Sequence, residues 1–227
     1  MATDRPTYPR AVVLEVMMEL ALAFNGNSEW RYDGSAAPVH HPNARCERLC
    51  AVGGMRRGKT EMKDLELLYI PKMVEEQDPG DLFGGTMPVN DTDRMLADLL
   101  ADDILKKRLS SAGHPAWGPW NKLAVHVRTG LPVDLFSATG ENWFNRLVVT
   151  TGPAIVNILI ASRAKNLGWE WEVNQAGFVP RGTTWESAPR DRRTMRSERE
   201  VFEFVGFPLL KPFERNKLEN WRETKAA

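Results

Sequence analysis

The sequence predicts an α/β (α+β) fold in which a small mixed sheet is followed by a mainly helical C-terminal subdomain. Three observations predict it. Short runs rich in Leu, Val, Ile and Tyr, ended by Gly or Pro, recur between residues 45 and 136. Apolar positions at helical spacing mark residues 8–24 and 91–109, and helical segments dominate after residue 142. The division falls near residue 138, giving parts 1–138 and 139–227.

Val12, Val13, Val16, Leu20 and Leu22 give residues 8–24 the stripe of an amphipathic helix. Residues 25–43, with Gly, Ser, Pro and paired histidines, read as a loop, and residues 45–52 as a strand running into Gly53-Gly54. Residues 64–70 form a clearer strand stopped by Pro71, and residues 79–88 read as a surface excursion. Asn90 or Asp91 caps a helix through about Leu109, with Met95, Leu99 and Leu105 on its stripe and Lys106, Lys107 and Arg108 against the dipole. Residues 123–127 and 131–136 predict a hairpin turning at Thr129-Gly130. Helices over 142–149 and 155–166, a Trp-rich strand over 169–173 and a helix over 198–205 complete the chain. The arginine-rich stretch before Ser197 reads as a loop.

A chain of 227 residues, 42% of them hydrophobic, supports a sizeable core without disulfides. No apolar run approaches the ~20 residues of a membrane-spanning helix, and MATDRPTYPR lacks the layout of a secretory signal, so no membrane partner and a cytoplasmic location are expected. Cys46 and Cys50 lie four apart on one strand, poor geometry for a disulfide. Thirty Lys and Arg balance thirty Asp and Glu, so whole-molecule charge gives no sign of a polyanionic partner. Local basic patches remain at Arg56–Lys63, Lys106–Arg108, Arg163 with Lys165, and Arg190–Arg199; solvated surface charge is the ordinary explanation of such runs.

Asp64 and Glu66 flank Leu65, and strand alternation puts both carboxylates on one face. Adjacent acids repel, and a hard divalent cation with oxygen ligands relieves the repulsion. Alternating acids also occur on solvent faces. Upstream, however, Gly53-Gly54-Met55-Arg56-Arg57-Gly58-Lys59 forms a glycine turn whose backbone N–H groups and arginines suit a phosphate. Asp134, between Val133 and Leu135, supplies a third acid in an apolar strand.

These residues resemble the family X DNA polymerases, within the wider nucleotidyltransferase fold. The family's glycine loop with two arginines, followed by two acids on one strand, is similar to Gly53, Gly54, Arg56, Arg57, Gly58, Asp64 and Glu66. Its third acid resembles Asp134, its threonine-glycine before a helix carrying an asparagine resembles Thr151, Gly152 and Asn157, and its C-terminal pattern resembles Glu198, Val201, Phe202, Gly206 and Pro208. The resemblance implies a catalytic palm over 1–138 and a nucleotide-binding subdomain over 139–227. It further implies that Asp64, Glu66 and Asp134 hold two Mg²⁺ ions, with Mn²⁺ as a substitute, for transfer from a nucleoside triphosphate to a primer 3′-hydroxyl. Gly53, Gly54 and Arg57 would grip the triphosphate, and Thr151, Gly152 and Asn157 would line the sugar and base. Template-independent tailing, RNA nucleotidylation and a degenerate nucleotide- or DNA-binding module share most of these features.

Several positions depart from the family. Gly54 replaces a phosphate-contacting serine, Glu66 replaces an aspartate, and Pro132 stands where polymerase beta has an arginine near the third acid. Val149-Thr150 replace two aromatic residues that crowd the sugar 2′ position, predicting relaxed exclusion of ribonucleotides. The segment before Gly53 has no room for the DNA-binding lyase domain and shows no helix-hairpin-helix signature. A weakly held DNA primer-template, distributive synthesis or recruitment by a protein partner is therefore expected.

His40, His41, Cys46 and Cys50 form an irregular set for zinc, and buried strand thiols beside loop histidines are the simpler reading. The eight tryptophans suit core packing, with Trp185 the best candidate for an exposed ring.

Overall fold

The computed structural model describes residues 6–26, 39, 41–81, 83–110 and 112–218. The elements in order are β1 (Tyr8–Pro9), α1 (Arg10–Asn25), β2 (Cys46–Ala51), α2 (Gly53–Arg56), β3 (Glu61–Met62), β4 (Leu65–Pro71), β5 (Met73–Gln77) and β6 (Thr86–Asn90). They continue with α3 (Asp91–Ala101), β7 (Leu105–Lys107), β8 (Asn121–His126), β9 (Pro132–Ser137), α4 (Trp143–Thr151) and α5 (Ala154–Asn166). Last come β10 (Trp169–Glu172), β11 (Gly177–Pro180), β12 (Arg193–Thr194), α6 (Glu198–Phe204) and a 3₁₀ segment (Pro212–Leu218). The class is mixed α+β, with several small sheets. Two compact units form: residues 1–51 with 61–137, and residues 52–60 with 138–227. The sequence reading kept 1–138 together, whereas Val52–Thr60 clusters with the second unit.

The first unit is built on a five-stranded sheet ordered β2-β4-β9-β8-β7. Only β4 and β9 run parallel within it; the other neighbours are antiparallel. Leu65, Leu67, Leu68 and Tyr69 bury β4 in the sheet interior, between β2 and β9, with the near-continuous apolar character of a strand covered on both faces. Val13, Val16, Met17, Leu20 and Phe24 form the buried stripe of α1, and the Phe24 ring lies 5.4 Å from Tyr69 on β4. Burial pushes the Tyr69 hydroxyl's pKa up, because a phenolate would lose its hydration there.

The helix expected through Leu109 is shorter. Asn90 does cap α3, its side chain accepting from the Asp93 N–H at 2.9 Å, but the helix ends at Ala101. Asp102 and Asp103 set two negative charges against the helix C-terminus, and Asp103 takes a left-handed φ of 53°. Leu105 then becomes a buried strand residue opposite His126. The excursion over 79–88 is also more ordered than expected: β5 and β6 pair as a hairpin from Met73↔Asn90 to Gln77↔Thr86. The β8–β9 hairpin forms where the sequence puts it.

The second unit is less helical than expected. Beside α4, α5 and α6 it carries the three-stranded sheet β10-β11-β12, and β12 lies within the arginine-rich stretch expected to be loop. Its core joins Val148, Val156, Ile160, Phe178, Val201, Phe202 and Val205. Asn145 ties helix to sheet, donating to the Glu172 and Gln175 carbonyls at 2.8 and 2.7 Å and accepting from the Trp171 indole. Trp185 is buried rather than exposed, packed with Ala176 and Val179 under the Arg192 guanidinium. An aromatic ring in a polar segment found its own local core, which composition alone does not reveal.

Candidate active site

In the first unit the acids follow from strand register. Burial alternates along β9 and at the start of β4, so Leu65 and Val133 are fully buried while Glu66 and Asp134 are half-buried. The parallel ladder pairs Leu65 with Val133 and Glu66 with Asp134, side by side on the same face. Asp64 is also half-buried and immediately precedes β4. Three hard carboxylate oxygens donors of this kind suit Mg²⁺ or Mn²⁺ by their chemistry. Among the described residues no group of three or more His, Cys, Asp or Glu side chains is drawn together as a metal cluster. The structure brings Glu66 and Asp134 into register; Asp64 stands one residue outside the ladder.

A fourth residue, absent from the sequence reading of this site, belongs to the same row. Arg108 extends β7 by donating its N–H to the Leu123 carbonyl at 3.0 Å. Leu123 is the β8 partner of Asp134, and Asp134 is the β9 partner of Glu66. The row across four strands is therefore Arg108, Leu123, Asp134, Glu66. At its end the Arg108 Nη2 donates to Asp134 Oδ1 in an ion pair largely shielded from solvent. Pro132 thus leaves Asp134 beside a cation, supplied across β8 from the extension of β7. The signal that could have located it is Asp102-Asp103, which stops α3 and lets residues 105–108 run as a strand.

The remaining expected residues lie in the second unit. Gly53, at φ 55°, opens α2 in a conformation that favours glycine. The N–H groups of Arg56, Arg57, Gly58 and Lys59 are spent within this turn, on Val52, Gly53, Met55 and Gly54 carbonyls. Arg57 is buried and held by protein: Nε donates to Asn216 Oδ1 at 3.0 Å and Nη1 to the Thr151 carbonyl, while its own carbonyl accepts from Asn216 Nδ2 at 2.8 Å. Thr151 ends α4, and Gly152, at φ 61°, links it to α5. A Cβ on Gly152 would stand in ordinary contact with Arg57 Nη1, at 3.4 Å, so the left-handed φ rather than the space is what favours glycine here. Asn157 donates Nδ2 to the Val149 carbonyl at 2.8 Å, and its buried Oδ1 has no hydrogen-bond partner.

Arg56 joins a buried network that the sequence reading saw only as a C-terminal pattern. Its guanidinium donates to both Glu198 carboxylate oxygens, at 2.9 and 2.6 Å, and to Thr151 Oγ1 at 2.8 Å. Arg215, fully buried, donates Nη2 to the same carboxylate at 2.9 Å and Nε to the Leu210 carbonyl at 3.0 Å. Burial alone would raise the Glu198 pKa; hydrogen bonds and charge from Arg56 and Arg215 hold it below the ordinary carboxylate value. Burial in turn lowers the Arg215 pKa. Ser197 places Glu198 by capping α6, accepting from the Glu200 N–H at 3.1 Å.

Cys46 and Cys50 are buried strand thiols, and burial pushes the Cys46 pKa up to about 12. His40 lies outside the described residues, and His41 accepts locally from the Asn43 N–H. No protein-family model matches the chain, and no curated protein matches its sequence. No helix among the described residues is long and apolar enough to cross a membrane.

Proposed function

We propose that the chain is a metal-dependent nucleotidyltransferase that adds nucleotides to a DNA primer 3′-hydroxyl and releases pyrophosphate, with the first unit as its palm. The observation that carries this reading is the Glu66↔Asp134 register on the half-buried face of the two parallel strands. Acids so placed are costly unless a cation serves them, and Asp64 adds a third carboxylate two residues before Glu66. Asp64, Glu66 and Asp134 would hold the Mg²⁺ or Mn²⁺ ions. Such ions, when bound, lower the pKa of the attacking hydroxyl and offset charge on the triphosphate.

In the reaction the primer oxygen attacks the α-phosphorus, its proton passes to the Asp134 carboxylate, and the bond to the bridging oxygen breaks as pyrophosphate leaves. Gly53, Gly54, Arg57, Thr151, Gly152 and Asn157 are the proposed nucleotide-binding residues, with the unpartnered Asn157 Oδ1 an acceptor suited to a donor on the ligand. Primer extension on gapped duplex, open template and bare single strand, with Mg²⁺ or Mn²⁺ and both sugar types, tests the reading. Template-dependent extension lost in Asp134→Asn supports it; extension of bare strands alone points to a tailing enzyme.

A non-catalytic nucleotide-binding module is favoured by one observation: Asp134 is already paired with Arg108. Nucleotide binding without pyrophosphate release under any metal would select that reading.

A further inference from the structure

The zero net charge of the chain hides a segregation. The first unit contains 13 Lys and Arg against 19 Asp and Glu, and the second 17 against 11. Two basic segments that are distant in sequence account for much of the exposed surplus, and the small sheet of the second unit gathers them. Arg163 and Lys165 are exposed in the last turn of α5. Gly168 closes that turn on the Lys165 carbonyl at 3.1 Å and accepts from the Arg181 N–H at 2.9 Å, which brings exposed Arg181 beside it. Trp169 pairs with Pro180, Phe178 pairs with Arg193, and the Arg193 guanidinium lies 5.4 Å over the Trp169 ring.

Lys165, Arg181, Arg190, Arg193 and Arg196 are exposed, and none of their side chains forms an ion pair with a carboxylate among the described residues, although the Arg196 backbone N–H donates to Glu200 Oε2 at 2.7 Å. The exposed acids of the 181–196 stretch are only Glu186 and Asp191. The Arg193 guanidinium is braced on the Trp169 indole, and its Nη1 donates to the Asp191 carbonyl at 3.1 Å. That brace fixes the Arg193 fork and makes phosphate contact less costly in side-chain entropy. Trp169 also meets Phe204 edge-on at 5.1 Å, so its ring is occupied by protein on more than one side and the surface offers charge rather than base stacking.

We infer that this face, formed by the α5 C-terminus and the β11–β12 edge, binds a nucleic-acid backbone through its phosphates and without sequence preference. The choice of nucleic acid among polyanions rests on the proposed nucleotidyl transfer; the charge and geometry stand without it. Phosphate contacts of this kind dominate affinity and make it depend steeply on salt.

Fluorescence anisotropy of the full chain with labelled duplex and single-stranded DNA, over a salt series from about 50 mM upward, tests it. Lys165→Gln/Arg181→Gln/Arg193→Gln should weaken binding roughly tenfold or more at the lowest salt and reduce the log–log salt slope by about 2–3. Arg190→Gln/Arg196→Gln touches no packed ring, so it guards against misfolding and should weaken binding in the same direction. Lys106→Gln/Lys107→Gln, in the first unit, should leave binding unchanged. Unaltered affinity in both second-unit variants, an equal loss in the first-unit control, or tighter binding to anionic lipid vesicles than to DNA would overturn the inference. Asp134→Asn separates it from the catalytic reading. Arginine-dependent binding without extension by the wild type removes the catalytic reading alone, and extension with arginine-independent binding removes this inference alone.

Discussion

The two units hold their buried charges in opposite ways. In the first, two carboxylates stand in register on a sheet face and one arginine, Arg108, meets Asp134. In the second, two arginines converge on one carboxylate, Glu198, and a third, Arg57, is held by neutral acceptors. The first arrangement sets acids side by side on a ladder with a guanidinium reaching in from another strand; the second gathers guanidinium groups around one carboxylate. The difference teaches where each unit tolerates change. Loss of an acid in the first should remove chemistry with little harm to folding, whereas loss of the acid in the second should harm folding first.

The largest expected effect tests that contrast directly. Asp134→Asn and Glu66→Gln keep shape while removing a charge proposed to hold a metal, and under the proposed function should each cost about 10³-fold or more in extension rate. Thermal unfolding should shift less than in Glu198→Ala, because the amide oxygen in Asp134→Asn can still accept from the shielded Arg108 guanidinium. An unfolding shift as large as that of a core substitution would show that the acids serve the sheet and not a reaction.

Much of the first unit was legible because its signals are local. Alternation around Leu65 and Val133 reports the face of Glu66 and Asp134, Asn90 reports a cap, and Thr129-Gly130 reports a hairpin. What was not legible depends on pairing between distant residues. Arg108 reads as the last turn of a helix until the acids at Asp102-Asp103 are weighed against the dipole, and its reach to Asp134 needs the β7–β8–β9 register. Arg215 lies in a segment whose sequence gives no hint of complete burial; its place depends on Glu198, seventeen positions earlier. The strands β5, β6, β11 and β12 are at most five residues long, too short for an apolar pattern to mark them, so their pairing is set by their partners.

In the second unit, Glu198→Ala strands Arg56 and Arg215 in a poorly solvated network and should destabilise the fold by about 3–5 kcal/mol. Denaturant unfolding measures it, and a loss under about 1 kcal/mol would place the pair in the class of surface bridges. The pH dependence follows from the lowered Glu198 pKa. A carboxylate held below its unfolded value of about 4.3 contributes stability that is present above that value and disappears as pH falls through the folded pKa. Wild-type stability should therefore drop with acidification below about pH 4, and Glu198→Ala should flatten that part of the curve.

Arg108 offers a smaller and more discriminating effect. Arg108→Ala removes the cation that Asp134 already holds, so a metal no longer competes with a guanidinium for the same oxygen. The half-saturating Mn²⁺ concentration should fall, by about threefold to tenfold if the pair is worth roughly 1 kcal/mol. Arg108→Lys should lie between the two. A rise in the metal requirement would mean that Arg108 aims the carboxylate rather than occupying it.

The smallest effect concerns the sugar. Val149 and Thr150 sit near the end of α4, where the Val149 carbonyl accepts from Asn157 and the Thr150 hydroxyl donates to the Arg146 carbonyl at 2.8 Å. Neither side chain presents a bulky ring, so under the proposed function exclusion of a 2′-hydroxyl would fall to backbone and to small groups. A hydroxyl met by a site that merely tolerates it is rejected by about 10²-fold at most. The ratio of kcat/KM for deoxyribonucleotide over ribonucleotide should lie at or below that level, and Val149→Phe should raise it by adding an aromatic wall. A wild-type ratio far above it would show that backbone around Gly152 excludes the ribose unaided, making the second unit a sugar gate independent of the residues at 149 and 150.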